Sequence, residues 1–143
     1  MIYRMKQHFT KIIIKTNKQK LINITDELES IVRSSEMSDG LLTVFIKHTS
    51  ASLIIQENAD GDVLRDIENF FNKLVPMDKS YYAHNTEGSD DMPAHIKSLL
   101  TSTHLSIPFQ KNELLLGTWQ GIFLFEHRIE SHKRTIEIHI MGK

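Results

Sequence analysis

The stretch TIEIHIM, residues 135–141, alternates polar and apolar side chains from Thr135 to Ile140. Successive side chains of a β-strand point to opposite faces, so this pattern predicts a strand with one buried face. Three isoleucines would face the core and three polar residues the other side: Ile136, Ile138 and Ile140 against Thr135, Glu137 and His139. ELLLG (113–117) and GIFLFEH (121–127) precede it and predict two further strands.

Four short β-branched and apolar runs in the first half of the chain predict more strands. FTKIII (9–14) and KLINI (20–24), separated by a polar segment, are typical of a hairpin. Asp39-Gly40 is typical of a turn. LLTVFIK (41–47) then predicts a buried strand, and ASLIIQ (51–56) its partner or continuation.

Three segments have helical spacing. The clearest is DGDVLRDIENFFNKLVP (60–76), whose apolar stripe ends at a proline. Thr25 or Asp26 is expected to cap an earlier helix, and Pro93 suits the first turn of a later one. Ile96, Leu99 and Leu100 are expected to give this later helix its buried side. These elements predict one α+β domain over residues 1–143, with mostly antiparallel strands and about three helices.

Composition excludes several classes of protein. The 17 Lys and Arg against 18 Asp and Glu leave no basic excess, so we expect no nucleic-acid partner. The chain has no cysteine, which excludes disulfides and thiolate metal sites. It also has no apolar run of membrane-spanning length and no signal-peptide pattern, so no membrane partner and a cytoplasmic location are expected. Eight histidines are many for 143 residues.

The segment KHTSAS (47–52) places His48 among small hydroxyl residues between two predicted strands. This histidine is either a ligand or general base, or a histidine at a strand break whose ring bonds to the backbone. Ser50 or Ser52 could form a triad on paper, but the G-x-S-x-G elbow of serine hydrolases is absent.

Acidic residues precede the main helix in QENADGDV (56–63), which contains Glu57, Asn58 and Asp60. They either cap the helix and complement its dipole or belong to a site, where Mg²⁺ could bridge carboxylates and a phosphate. An EF-hand does not fit, because isoleucine falls where that loop requires a bidentate Glu.

HNTEGSDDMPAHIK (84–97) holds His84 and His95 on either side of several acids. Their spacing is not a standard zinc spacing. As an isolated pair they would be surface or cap residues, but acidic neighbours such as Asp91 could orient them around a metal.

LGTWQGIFLFEH (116–127) has two glycines that bracket the only tryptophan, Trp119. As a strand, it would place Thr118 and Gln120 on one face and Trp119 on the other. The segment is either a bulged core strand or the wall of a site. Arg134 forms a basic cluster with Arg128 and Lys133, which could hold a phosphate by charge-assisted hydrogen bonds or lie in a solvated turn.

Three blocks together, HTSASLIIQENAD, HNTEGSDDMPAHIK and LGTWQGIFLFEHR, resemble the YjbQ-like family of small proteins, often labelled secondary thiamine-phosphate synthase enzymes. The resemblance extends from about Phe9 to Met141. It implies an antiparallel β-sandwich that carries the helices, assembled as a homotrimer with sites near subunit contacts. It also implies that His48, His84 and His95 gather around one divalent metal, zinc or similar.

Further residues fall at matching motif positions, although the motif does not assign the role of each one. Glu57 and Asp60 are the candidate catalytic residues. The candidate substrate-binding residues are Asn58, Asp91, Thr118, Trp119, Gln120 and Arg134. The implied activity joins hydroxymethylpyrimidine diphosphate to a thiazole phosphate and releases pyrophosphate and thiamine monophosphate, with Mg²⁺ as a second possible cation. The alternative is a trimer that binds a metal or a small phosphorylated metabolite without turnover.

Overall fold

Eight β-strands and three α-helices make up most of residues 4–143, the part of the chain that the computed structural model describes. In chain order they are β1 (Lys6–Lys15), β2 (Lys20–Asn23), α1 (Thr25–Ser34), β3 (Asp39–Ile46), β4 (Ala51–Glu57), α2 (Gly61–Leu74), α3 (Asp91–Leu100), β5 (His104–Gln110), β6 (Glu113–Leu114), β7 (Gln120–Glu126) and β8 (Lys133–Gly142). All pairings between these strands are antiparallel.

The stretch TIEIHIM lies in β8, inside a five-stranded sheet of order β1-β8-β3-β5-β6. β8 pairs with β1 on one side and with β3 on the other. Ile136, Ile138 and Ile140 are at most 1% exposed, so the predicted buried face is confirmed.

The smaller sheet has three strands in the order β2-β7-β4. Its central strand β7 is buried along nearly its whole length, because its two faces meet different partners. One face contributes Ile122 and Leu124 to the core shared with the larger sheet and α1. The other face presents Phe123 and Phe125 to the apolar stripe of α2.

The main core therefore lies between the two sheets. Its fully buried members include residues from both sheets and from the inner face of α1: Leu28, Val32, Leu42, Val44, Leu53, Ile122, Leu124, Ile136 and Ile138. This arrangement confirms the α+β class and the antiparallel β-sandwich with three helices. No helix in residues 4–143 is long and apolar enough to cross a membrane.

Two predicted strand pairings are wrong. β1 and β2 form no hairpin, because β1 pairs with β8 in the larger sheet and β2 with β7 in the smaller one. β3 and β4 likewise belong to different sheets. In both cases the short connection crosses from one layer of the sandwich to the other. Local sequence identifies such strands but not the layer in which each one finds its partner.

Two details of the helices also differ from expectation. α1 follows Ile24, with no side-chain cap from Thr25 or Asp26. α3 buries Ala94, Lys97 and Ser98, whereas Leu99 is 83% exposed. The helical spacing of α3 therefore predicted its existence but not the side that faces the protein.

Sequence patterns missed β5, which contains Pro108. The Pro108 carbonyl accepts a hydrogen bond from Leu115, and β6 is only two residues long, so the missing proline N–H falls at the free edge of the sheet. Asp39-Gly40 lies at the start of β3 and not in a turn.

Candidate functional site

The first turn of α3 and the loop before it bring together two histidines and a buried aspartate. Asp91 and His95 are four residues apart on α3 and therefore share one face of the helix. The Asp91 Oδ2 atom is 2.6 Å from His84 Nε2 and 3.4 Å from His95 Nε2. Asp91 is 3% exposed, while both imidazoles reach the surface.

Arg128, just after β7, fixes the other side of this aspartate. Its Nη1 donates to Asp91 Oδ1 at 2.5 Å, and its Nε donates to Asp90 Oδ2 at 3.0 Å. Its Nη2 donates to the Glu87 carbonyl at 3.0 Å, which anchors the loop. Gly88 makes this loop path possible with a φ of 107°, a conformation that other residues rarely adopt. Asp91 is therefore held with Oδ2 towards the histidines.

The pKa values of His84 and Asp91 are shifted in opposite directions. The hydrogen bond to Asp91 raises the pKa of His84 above its usual value. Burial acts to raise the pKa of Asp91, but the hydrogen bond with His84 and the charge of Arg128 outweigh burial and hold that pKa below its usual value. The site therefore favours an ionised carboxylate next to the imidazoles.

The same three side chains fit a divalent metal. His84, Asp91 and His95 each offer one ligand atom, and these atoms lie within 4.8 Å of one another. Imidazole nitrogen and carboxylate oxygen are donors that zinc and similar cations accept. His95 Nδ1 lies 2.9 Å from the Thr49 carbonyl, which fixes the ring and leaves Nε2 facing Asp91.

His48 does not join this group, so the predicted set of three histidines is replaced by two histidines and Asp91. The His48 Nε2 atom accepts the backbone N–H of Thr135 at 2.9 Å, and its Nδ1 lies 3.4 Å from Arg134 Nη1. Burial and the charge of Arg134 lower the pKa of His48. The backbone-bonded alternative for this histidine is therefore the one found.

Arg134 lies inside the protein and is 2% exposed. Its Nε donates to Glu126 Oε2 at 2.6 Å, and its Nη2 donates to Glu126 Oε1 and to Ser50. Glu126 is fully buried. The guanidinium thus joins β8 to β7 and to the segment before β4, and it does not reach a surface where a phosphate could approach.

The remaining predicted site residues collect at the opposite end of the smaller sheet. β4 begins at Ala51, close to Thr49, and ends at Glu57, six residue steps or about 20 Å away. There the Asn58 N–H donates to the Trp119 carbonyl at 2.9 Å. Asp60 accepts the Asp62 N–H and caps α2.

Residues 117–119 form a turn that leads into β7 and do not extend the strand. The Gln120 N–H donates to the Gly117 carbonyl at 3.0 Å, and the Gln120 side chain accepts the Gly117 N–H at 2.8 Å. Thr118 and Trp119 are exposed, Trp119 by 62%. The expected alternation of faces is therefore wrong, and Trp119 is not a core residue.

A largely apolar pocket of about 360 Å³ borders the histidine–aspartate group. His95 belongs both to the group and to the lining of the pocket, and His48 also lines the pocket. Apolar side chains of α3, including Met92, Ile96 and Leu99, complete the lining. A metal at His95 would therefore face a space large enough for a small ring-containing molecule.

The sequence of this chain is similar to those of known proteins over most of its length. A model of the family described as "UPF0047 protein YjbQ-like" matches residues 10–143. The chain belongs to this family. A UPF0047 protein of Synechocystis is 51% identical over 138 residues, covering 96% of this chain and 94% of that protein. The YjbQ protein of Escherichia coli O157:H7 is 45% identical over 121 residues, covering 84% of this chain and 87% of that protein.

Solved structures of the family share the fold. A protein of unknown function from Sulfolobus solfataricus superimposes with a TM-score of 0.90 at 28% identity, covering 98% of this chain and all of that one. An uncharacterised family member from Clostridium acetobutylicum gives a TM-score of 0.83 at 36% identity, covering 92% of this chain and 98% of that one. The family and its fold are therefore shown, while the names of these relatives give no activity.

Sequence reasoning gave too little weight to two residues of this site. Asp91 was expected to orient the histidines or to contact a substrate, yet its position between the two imidazoles makes it a candidate ligand itself. Arg128 was only part of a basic cluster, yet it holds both Asp90 and Asp91. Adjacent aspartates and an arginine directly after a buried strand were the available signal, but only the fold brings them together.

Proposed function

We propose that His84, Asp91 and His95 hold one divalent metal ion, and that the protein uses it to act on a small phosphorylated metabolite. The proposal is carried by one observation, the three ligand atoms that lie within 4.8 Å of one another beside an apolar pocket. Zinc or a similar cation suits the two imidazoles, while Mg²⁺ could accompany a diphosphate substrate.

The activity that we propose is formation of thiamine monophosphate from hydroxymethylpyrimidine diphosphate and a thiazole phosphate. In this reaction a C–O bond to pyrophosphate breaks and a C–N bond to the thiazole forms. A bound cation would supply positive charge where the pyrophosphate leaves. Met92, Ile96 and Leu99 offer an apolar wall for the pyrimidine ring. A cytoplasmic location agrees with this role and stays a prediction.

A homotrimer is part of this proposal. Glu57, Asp60 and Trp119 lie at the far end of β4 from the histidines, so within one chain they cannot contact a substrate bound beside His95. A neighbouring copy could bring its own Glu57 end to this pocket. Exposed apolar side chains on the outer face of the larger sheet, such as Phe9 and Phe45, support self-association.

The synthase activity is tested by incubating the purified protein and a divalent metal with both phosphorylated substrates. We expect thiamine monophosphate, with the rate falling on the order of 100-fold in His95→Ala. Glu57→Gln and Asp60→Asn should also slow the reaction. Asp60→Asn keeps an N-cap side chain, so its effect reports the carboxylate and not the helix. Asp66→Asn, an exposed change on α2, is the matched control.

Binding of a metal or metabolite without turnover is the second candidate. It is favoured by the separation between the predicted catalytic acids and the histidine–aspartate group within one chain. The same experiment separates the two functions. A protein that binds one metal per chain through Asp91 but forms no product above His95→Ala would support binding alone.

A further inference from the structure

A second cavity lies on another side of α3, between this helix, α2 and the smaller sheet. It has a volume of about 100 Å³ and contains none of the three candidate metal ligands in its lining. Lys97, Glu126 and His127 line its inner part. Gln19 and the exposed Asn72 lie at its outer part, where α2 leaves it accessible.

The side-chain amine of Lys97 lies at this cavity and has N–H donors without acceptors. The residue is 2% exposed, and its Nζ donates to Asn72 Oδ1 at 2.6 Å. The ion pairs found within residues 4–143 do not include it. An ammonium group has three N–H donors, so two remain without an acceptor. Burial lowers the pKa of Lys97, and the charge of Asp90, which forms no ion pair with it, opposes this only in part. A bound anion would offset the cost of the buried charge.

His127 provides an independent indication of a ligand. It is 1% exposed and its Nε2 lies 2.9 Å from Ser52 Oγ. Its Nδ1 is buried and has no hydrogen-bond partner within residues 4–143. Native proteins rarely leave such an atom unpaired, so the cavity beside it is expected to supply the missing partner.

The carboxylates that line the cavity do not meet this demand. Both oxygens of Glu126 are engaged, by Arg134, by the Thr16 hydroxyl and by the Arg128 N–H. Glu68, nearer the outside, accepts the Leu21 N–H. What is missing at the inner end is a hydrogen-bond acceptor with negative charge.

We propose that this cavity binds a small carboxylate anion, whose oxygens accept the two spare N–H groups of Lys97 and the Nδ1–H of His127, in the tautomer whose Nε2 accepts from the Ser52 hydroxyl. By the same measure, one water molecule needs a cavity volume of only about 10–15 Å³. The cavity of about 100 Å³ therefore accommodates a molecule of several heavy atoms. Phe125 forms an apolar wall for the carbon atoms of the ligand. Gln19, Asn69 and Asn72 offer amides to polar groups at its outer end.

The experiment titrates acetate into the purified protein by NMR, with acetamide as an uncharged probe of the same shape. We expect saturable shifts with acetate that centre on Lys97, Phe125 and His127, and none with acetamide. Absence of acetate binding to the wild-type protein, or equal binding of acetamide, would contradict the proposal. Repeating the titration with a metal chelator should leave acetate binding unchanged, so this test and that of the metal site fail separately.

A charge substitution supplies the decisive variant. Asn72→Asp puts a carboxylate against Lys97 from an exposed position, so the protein should fold and acetate affinity should fall about tenfold or more. Lys73→Gln makes the same change of net charge at the next residue of α2, which is exposed and does not line the cavity, and should bind nearly as the wild type does. If Asn72→Asp binds acetate as tightly as Lys73→Gln, Lys97 does not hold the anion.

Discussion

Asp91 divides its two oxygens between partners of different kinds. Oδ1 accepts from the Arg128 guanidinium, and Oδ2 faces the imidazoles of His84 and His95. A carboxylate held on one side by arginine keeps its orientation whether or not a cation is bound on the other side. Arg128 is therefore a positioning residue for the proposed metal, although it offers no ligand atom itself.

His127 gives a prediction for stability against pH. Burial first, and then the charges of Lys97 and Arg134, lower its pKa to about 3. The unfolded chain binds a proton at about pH 6.5, so between these values acid favours the unfolded state. Stability should fall by about 1.4 kcal/mol per pH unit from this residue, or about 2 kcal/mol between pH 6.5 and 5.

His127→Gln, which keeps a partner for Ser52 but does not titrate, should remove this part of the pH dependence. Urea unfolding at pH 7 and pH 5 measures the difference in each protein. His8→Gln, at an exposed histidine, should keep the wild-type slope. Parallel losses of stability in the wild type and His127→Gln would show that His127 is not held neutral by the fold.

Residue types and spacing predicted part of the candidate site. His84 and His95 were singled out correctly as neighbours, because the acids around them suggested a common role. His48 was misplaced, since nothing in HTSAS shows that its ring accepts the Thr135 N–H. That bond depends on how β8 passes the end of β3, which is a property of the sandwich and not of the local segment.

At the level of elements, Gly40 shows how closely the strands of the larger sheet approach. It pairs with Gly142 of β8, and a Cβ at Gly40 would clash with the Met141 carbonyl and lie 2.8 Å from the Phe109 ring. Gly40→Ala should therefore lower the free energy of unfolding by roughly 1–3 kcal/mol, measured by urea denaturation.

Gly61→Ala is the matched control for this prediction. Gly61 starts α2, and a Cβ there would meet nothing within 4 Å. Its replacement should leave stability unchanged or raise it by about 0.4–1 kcal/mol, because alanine restricts the unfolded chain. Equal effects of the two substitutions would mean that the approach of β3 and β8 at Gly40 is not as close as described.

The elements themselves were largely predictable. The alternation of polar and apolar residues predicted β8, and the apolar stripe that ends at Pro76 predicted α2. The strand pairings were less predictable, because β1 and β2 have similarly apolar sequences but lie in different sheets. β5 was missed because Pro108 interrupts the pattern, and its place beside a two-residue strand makes the proline harmless.

At the scale of the whole molecule, the outer face of the larger sheet is the surface that we expect to form the contact between copies of the chain. It carries exposed apolar residues on several strands, with exposed fractions of 69% for Phe9, 57% for Ile13, 47% for Phe45 and 41% for Met141. Monomers rarely leave a large apolar patch open to water. We expect light scattering after gel filtration to give three times the chain mass of 16.6 kDa.

Phe45→Glu should break this assembly by placing a charge in the contact. Phe70→Glu, at a phenylalanine that is 58% exposed on α2 beside the smaller sheet, should leave it intact. A wild-type protein that stays a monomer at micromolar concentration would contradict the trimer. Glu57 and Asp60 could then not contact a substrate bound beside the histidines.

In the proposed metal site, Asp91, and not His48, is the third ligand beside His84 and His95. Equilibrium dialysis against Zn²⁺ tests it most directly, with circular dichroism to confirm that each variant is folded. We predict one ion per chain in the wild type, unchanged binding in His48→Gln, and an affinity at least about 10–100-fold weaker in Asp91→Asn. Zinc binding that survives Asp91→Asn but is lost in His48→Gln would contradict this assignment.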